Sequence, residues 1–366
     1  MGDFKQWETK FDKQDLVDFT FNREALLWLK LKSVSKKEPQ NDFLQFSGIS
    51  PQTTGVKKIW CELFDTMKND IEGSIRLLDD FSEAENQKQL SVLDIETLSN
   101  DLYKVQSFKW GGDHTNSLDK YLVTRYVKAI ISYDELQSKV PEIGDAAYGY
   151  VMSSWYNHWS SILIEHVFKS HVSVIPTVGQ VKGVDFFVDG IPFDLKVTHL
   201  PKGFIDQILK AKNYKPELTY LKSQAKALGI TFDKDASDDV INYQIIAKLK
   251  DVNTQAANDV LDTTKNRRQE ILSYALDNPK ELSKWLYENQ GDMRFGAENR
   301  LFLVLIDNDN WDNSWSLKRN INLLRPKIMG YLDSFSSENI EDMKIEFTFK
   351  SHLYTTYADI LFIIKD

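Results

Sequence analysis

Three residues around one short turn have the types and spacing that could support metal-ion chemistry: Asp185, Asp194 and Lys196. Between them lies Asp189-Gly190, the dipeptide best suited to a two-residue type I′ turn, because both central residues of that turn need a positive φ. The turn predicts a β-hairpin whose register brings Asp185 opposite Asp194. Because side chains alternate along a strand, Lys196 is predicted to share their face.

Two carboxylates that face each other on neighbouring strands repel, so this hairpin needs a compensating cation. Magnesium prefers oxygen ligands and leaves room for water and for a phosphate oxygen. Asp185 and Asp194 are therefore predicted to bind Mg²⁺, and the carbonyl of Leu195 could add a third protein ligand. Lys196 could hold or deprotonate a water molecule beside a scissile phosphate.

The triplet of an acid, any residue and a lysine is not distinctive by itself, since it begins at Asp3, Glu8, Asp194 and Asp342. Only the triplet at Asp194 has a tight turn, a facing carboxylate and an upstream helix bearing an acid. The alternative interpretation is a surface hairpin with a solvated polar face, on which Asp194 simply pairs with Lys196. The combined register and acid pair favour the functional interpretation.

The hairpin resembles the PD-(D/E)xK nuclease superfamily, to which many restriction endonucleases belong. Asp185, which follows Val184 where the family name has proline, matches the first acid, and Asp194-Leu195-Lys196 matches the triplet. The resemblance implies a metal-dependent nuclease in which a glutamate of a preceding helix assists the metal site, and Glu165 is the best match to that glutamate. It covers roughly residues 146–307, and the N-terminal region matches no family.

Hydrophobic patterning predicts an α/β fold around the hairpin. Residues 1–145 have apolar side chains at helical spacing and few strand signals, so a helical region is expected. The spacing leaves its role open between DNA recognition, dimerisation or both. Residues 146–366 are expected to form a nuclease core with a helical insertion around 203–290, and the apolar run at 301–306 is typical of a strand buried on both faces. The predicted architecture is a mixed β-sheet flanked by helices, and the resemblance implies that this sheet is a restriction endonuclease-like core. Its other strands are predicted at 171–178, 184–188, 191–198, 345–349 and 358–364.

Composition and motifs exclude several other classes. The chain has 366 residues, of which 42% are hydrophobic and 27% charged, and no apolar stretch has the length of a membrane span. The single Cys61 excludes a disulfide framework, and the N-terminus has no apolar signal region, so a cytoplasmic protein is expected. No His-x-x-x-His pair, nucleophile elbow or phosphate-binding loop occurs, which argues against a zinc enzyme, a serine hydrolase or a P-loop ATPase.

Nucleic-acid contacts are predicted locally, because the formal net charge of −9 argues against a uniformly basic surface. Lys202 begins a series of basic runs after residue 200. Arg294 and Arg300 flank the loop before the buried strand and could grip phosphates or read a guanine edge. His199 could contact a phosphate. The alternatives are a solvated helix face for the lysine, a polar loop for the arginines and a structural role for the histidine.

These observations together predict a magnesium-dependent DNA endonuclease of the type II restriction kind. Cutting both strands at a symmetric duplex site needs two active sites, so a homodimer is expected. Three alternatives stay open: a nuclease of the same superfamily that acts on branched, damaged or foreign DNA or on RNA, a catalytically silent nucleic-acid-binding protein, and a helical interaction module with an incidental hairpin. The complete set of Asp185, Asp194 and Lys196 argues against a silent site.

Overall fold

The computed structural model describes residues 2–106, 118–234, 236 and 238–365. The chain divides into two compact units. The first unit joins Met1–Glu83 to Ile175–Trp315 and Ser334–Asp366, and the second joins Ala84–Val174 to Ser316–Asp333. Each unit is therefore assembled from segments that are far apart in the sequence.

A six-stranded mixed sheet flanked by helices forms the centre of the first unit, with the strand order β1-β2-β3-β4-β6-β5. β2 and β3 are antiparallel, β4 is parallel to both β3 and β6, and β5 returns antiparallel to β6. Every residue of β4 is buried, which confirms the strand expected from the apolar run at 301–306. The strands are β1 (Val174–Val181), β2 (Val184–Val188), β3 (Ile191–His199), β4 (Arg300–Asp307), β5 (Lys344–Phe349) and β6 (His352–Lys365).

Helices from the first 83 residues pack on the hairpin. Their aromatic-rich core includes Val184 and Phe187 of β2, and the buried Lys30, which is paired with Asp79, lies with its ammonium nitrogen 3.9 Å from the centre of the Phe187 ring. The helices of this region are α1 (Gly2–Asp12), α2 (Asp18–Phe21), α3 (Arg23–Ser33), α4 (Lys37–Ser47), α5 (Val56–Met67) and the first part of α6 (Ile71–Val92).

The described residues between β3 and β4 form five α-helices, where the sequence predicted a helical stretch around 203–290. Three of them bury apolar side chains against β4, β5 and β6. The other two, with the N-terminal part of α14, enclose an apolar cluster of their own. The helices that cover the sheet are α11 (Lys202–Ala211), α14 (Gln255–Asp277) and α15 (Pro279–Glu288), and the remaining two are α12 (Glu217–Ala227) and α13 (Asp238–Val252).

The second unit is helical in the part that the structure describes. It contains the end of α6, α7 (Ile95–Tyr103), α8 (Leu118–Leu122), α9 (Tyr133–Ser138), α10 (Val140–Lys169) and most of α16 (Ile321–Ser334). A guanidinium nitrogen of Arg319 donates to the carbonyl oxygen of Leu102 at 3.0 Å and so caps the C-terminal end of α7.

The described residues before 140 form no strand, which agrees with the helical N-terminal region expected from the sequence. The two compact units, however, are not separated at residue 145, because residues 1–83 belong with the sheet. The last strand also begins at His352, ahead of the expected 358. Among the described helices, none combines the length and the apolar character needed to cross a membrane.

Candidate active site

The hairpin has the predicted turn and register. Asp189 and Gly190 have φ values of 50° and 80°, as a type I′ turn requires. Phe186 lies opposite Phe193, and continuation of that register brings Asp185 opposite Asp194. The local turn chemistry is therefore sufficient to align the two carboxylates.

The Asp185 side chain accepts a backbone hydrogen bond just beyond the end of the β2–β3 pairing. Its Oδ2 accepts from the backbone N–H of Leu195 at 2.8 Å, and the antiparallel pairing between the two strands ends at Phe186 and Phe193. Because the N–H and C=O of one strand residue point to the same side, the Leu195 carbonyl also points toward the Asp185 side of β3. The Asp185 carboxylate and the Leu195 carbonyl thus lie along one edge of the strand.

Asp194 is buried, with 4% of its surface exposed, and it lies between two cations. Lys196 Nζ donates to Oδ1 at 2.8 Å and lies 2.7 Å from Oδ2 without hydrogen-bond geometry. Arg300 Nε lies 3.4 Å from Oδ2. Among the described residues, no group donates a well-formed hydrogen bond to that buried Oδ2.

Burial raises the pKa of the Asp194 carboxyl to about 6. The neighbouring carboxylates of Asp185 and Glu298 act in the same direction, while the ammonium of Lys196 opposes the shift. The negative charge of Asp194 is therefore costly at this buried position, and a positively charged ligand beside it would relieve that cost.

Glu298 and Arg300 complete a buried ion network that the sequence did not reveal. Arg300 lies beside Asp194 because β3 and β4 are parallel and these two residues are partners in the register. Its Nη2 donates to Glu298 Oε1 at 3.0 Å, and its guanidinium lies 4.7 Å from the ring centre of Tyr287. One sequence signal was present: a charged residue that begins a fully buried strand needs a charged partner.

The oxygen ligands present fit magnesium. Among the described residues, no group of three or more histidine, cysteine, aspartate or glutamate side chains is placed to hold a metal ion. Magnesium, however, is usually held by one or two carboxylates and keeps several water molecules. Asp185, Asp194 and the Leu195 carbonyl supply such a partial set, and the poorly satisfied Oδ2 of Asp194 is consistent with it.

Glu165, the acid inferred from the resemblance, lies on α10 in the second unit. There its carboxylate pairs with Lys169 at 2.8 Å. Its proposed contribution to the metal site stays a prediction.

The predicted DNA-contacting residues differ in exposure. Arg300 is only 3% exposed and paired with carboxylates, so its side chain is enclosed and does not face a phosphate backbone. His199 is an odd-numbered residue of β3 and so lies on the face opposite Asp194 and Lys196. Lys202, at the start of α11, and Arg294 are exposed, so their side chains are accessible for contacts with DNA phosphates.

Comparison of the chain with protein-family models, with curated proteins and with solved structures found no match.

Proposed function

We propose that this protein is a magnesium-dependent DNA endonuclease of the type II restriction kind, which hydrolyses phosphodiester bonds at a specific duplex site. The observation that carries the proposal is the position of Asp185, Asp194 and Lys196 around one edge of the hairpin, with the Leu195 backbone between them. A salt-bridged surface hairpin would not explain why Asp194 is buried. Perturbed pKa values cluster at functional sites, so the raised pKa of Asp194 beside Lys196 supports the proposal.

Each residue of the hairpin has a distinct role in this mechanism. When bound, Mg²⁺ supplies Lewis-acid polarisation of the scissile phosphate. Asp185 and Asp194 would hold the ion, and Asp185 also fixes the Leu195 backbone through its hydrogen bond. Lys196, whose side chain is 47% exposed, moves away from Asp194 and positions a water molecule. The water oxygen forms a bond to phosphorus, the bond from phosphorus to the leaving sugar oxygen breaks, and the proton lost by the water passes through solvent to that leaving oxygen. Glu165 is assigned an assisting role by the resemblance alone.

The substrate contacts belong to exposed cations of the first unit. Lys202 and Arg294 have accessible side chains that suit phosphate contacts, which position a duplex without reading its sequence. Arg300 does not contact DNA in this proposal, because its guanidinium is paired with Glu298 and Asp194.

Incubation of the protein with plasmid DNA in magnesium and in EDTA tests the activity. We expect discrete fragments in magnesium and intact plasmid in EDTA, and Lys196→Ala should slow cutting by about 10²–10⁴-fold because the attacking water loses its positioning group. Lys182→Ala is the matched control, since Lys182 is an exposed lysine of the β1–β2 turn, and it should cut like wild type. A smear would indicate a nonspecific nuclease, and uncut plasmid would reject the proposal.

Cleavage of both strands at a symmetric site requires two copies of the site, so the active form is proposed to be a homodimer. Sedimentation velocity with duplex DNA in calcium should give the mass of two chains per duplex. A single chain on DNA that is cut in both strands would reject the dimer and leave the nuclease assignment standing.

A further inference from the structure

Arg300 is a cation fixed in place on the buried side of Asp194. Its side chain is 4% exposed, its Nη2 donates to Glu298 Oε1 at 3.0 Å, and its Nε lies 3.4 Å from Asp194 Oδ2. The ring of Tyr287 covers the guanidinium at 4.7 Å. A guanidinium keeps its charge throughout the range in which proteins are folded, so this positive charge is permanent.

The Glu298 side chain occupies a space that two glycines leave open. A Cβ atom at Gly296 would lie 2.0 Å from Glu298 Oε2, and one at Gly183 would lie 3.0 Å from its Cδ. The carbonyl oxygen of Glu298 accepts hydrogen bonds from Tyr287 at 2.8 Å and from Thr356 at 3.0 Å. Both the backbone and the carboxylate of Glu298 are therefore held, and Arg300 is clamped between Glu298 and Asp194.

The cations on the two sides of the Asp194 carboxylate therefore differ in mobility. On one side lies Lys196, whose flexible and 47% exposed side chain can move away when another cation arrives. On the other side lies the enclosed Arg300, which cannot move away without leaving Glu298 unpaired. In a two-metal site the ions lie about 3.5–4 Å apart and commonly share a carboxylate. Here the Arg300 guanidinium already occupies one of the two positions beside Asp194 that a pair of metal ions would need.

We propose that Arg300, held in place by Glu298, acts as a built-in cation that restricts the site to one divalent ion, bound on the Lys196 side of Asp194. Arg300 is then a positioning residue, which orients Asp194 and takes the place of a second metal ion. This inference deepens the proposed nuclease function and rests on it, because both require Asp194 to be a metal ligand.

Counting bound Mn²⁺ tests the inference without measuring cleavage. Metal-stripped wild type and Asp194→Asn are titrated with MnCl₂, and free Mn²⁺ is followed by its electron paramagnetic resonance signal. Wild type should bind one Mn²⁺ ion that Asp194→Asn does not bind, and the subtraction removes weak surface sites. Two ions lost in the variant would overturn the one-ion inference and leave the nuclease proposal intact. Loss of none would overturn both.

A matched pair of double variants isolates the charge at position 300. Glu298→Gln/Arg300→Met removes the clamp and its cation together, so no buried charge is left unpaired, and it should bind one more Mn²⁺ ion than wild type. Glu298→Gln/Arg300→Lys keeps a cation there and should bind the wild-type number. Equal numbers of bound Mn²⁺ ions in the two double variants would show that the charge at position 300 does not limit the number of ions. If the first variant does not fold, the wild-type count still decides how many ions the site holds.

Discussion

Asp194→Asn should abolish magnesium-dependent DNA cleavage, with a loss of about 10³-fold or more, while the fold is retained. The amide keeps the size of the side chain but replaces a charged metal ligand with a neutral one. The backbone N–H of Asp194 donates to the Asn299 carbonyl oxygen at 2.9 Å, and this bond does not depend on the side chain. Rates of plasmid cutting in magnesium, with circular dichroism spectra of both proteins, provide the measurement.

Asp189→Asn is the matched control for this variant. It is the same substitution in the same hairpin, but Asp189 is an exposed turn residue with φ of 50°, a conformation that asparagine also adopts readily. Asp189→Asn should cut at the wild-type rate. If Asp194→Asn cuts as fast as Asp189→Asn, Asp194 does not hold the catalytic metal and the proposed site is wrong.

The parts of this site that were predictable from the sequence are those set by short-range interactions. The Asp189-Gly190 turn and the alternation of two adjacent strands are sufficient to align Asp185 with Asp194. The apolar run at 301–306 likewise contains enough information to indicate a fully buried strand. Neither inference needs knowledge of a distant segment.

The Glu298–Arg300 pair was missed because its position depends on long-range pairing. Arg300 reaches Asp194 only through the parallel alignment of β3 with β4, and a stretch of 100 residues, from 200 to 299, separates those strands in the sequence. The sequence places Arg300 directly before the buried strand, in a segment whose two arginines could grip phosphates or read a guanine edge, and a DNA-contacting role was therefore predicted. Its burial beside two carboxylates reverses that expectation.

The position of the N-terminal helices was also not predictable. Their helical character follows from apolar spacing, but the sequence does not indicate that Val184 and Phe187 of the hairpin complete their aromatic core. A boundary at residue 145 was therefore expected, whereas residues 1–83 are part of the unit that contains the sheet. Mutations in these helices are consequently expected to act on the hairpin through packing.

In EDTA, the stability advantage of Asp194→Asn over wild type should grow as pH rises from about 4 to about 7. Burial raises the pKa of Asp194 in the folded state to about 6 from its ordinary value of 3.8. The folded state therefore binds a proton more tightly than the unfolded chain does. The stabilisation that this proton gives is complete below pH 3.8 and is lost as pH rises through about 6, and it amounts to at most about 3 kcal/mol.

Taking the difference between the two proteins removes the contribution of carboxyl groups that do not interact with Asp194. The pKa of Glu142, for example, is lowered to about 2 by hydrogen bonds from Arg125 and Lys139, so its effect has the opposite sign, but it is the same in both proteins. Urea unfolding of wild type and Asp194→Asn across this pH range measures the difference. A difference independent of pH would show that Asp194 ionises without cost in the folded protein.

Magnesium should reverse the loss of stability that ionisation of Asp194 causes in wild type, and it should have no such effect in Asp194→Asn. An ion that binds the folded state and not the unfolded chain stabilises it by mass action, and binding requires the ionised carboxylate of Asp194. The rise in the unfolding midpoint caused by MgCl₂ should therefore be large above pH 6, small below it, and absent in Asp194→Asn. Lys196 and Arg300, the two cations beside this carboxylate, do not offset the cost of ionising it, because the Asp194 pKa is raised even with both present. An equal magnesium effect in both proteins would place the ion elsewhere and separate the buried acid from metal binding.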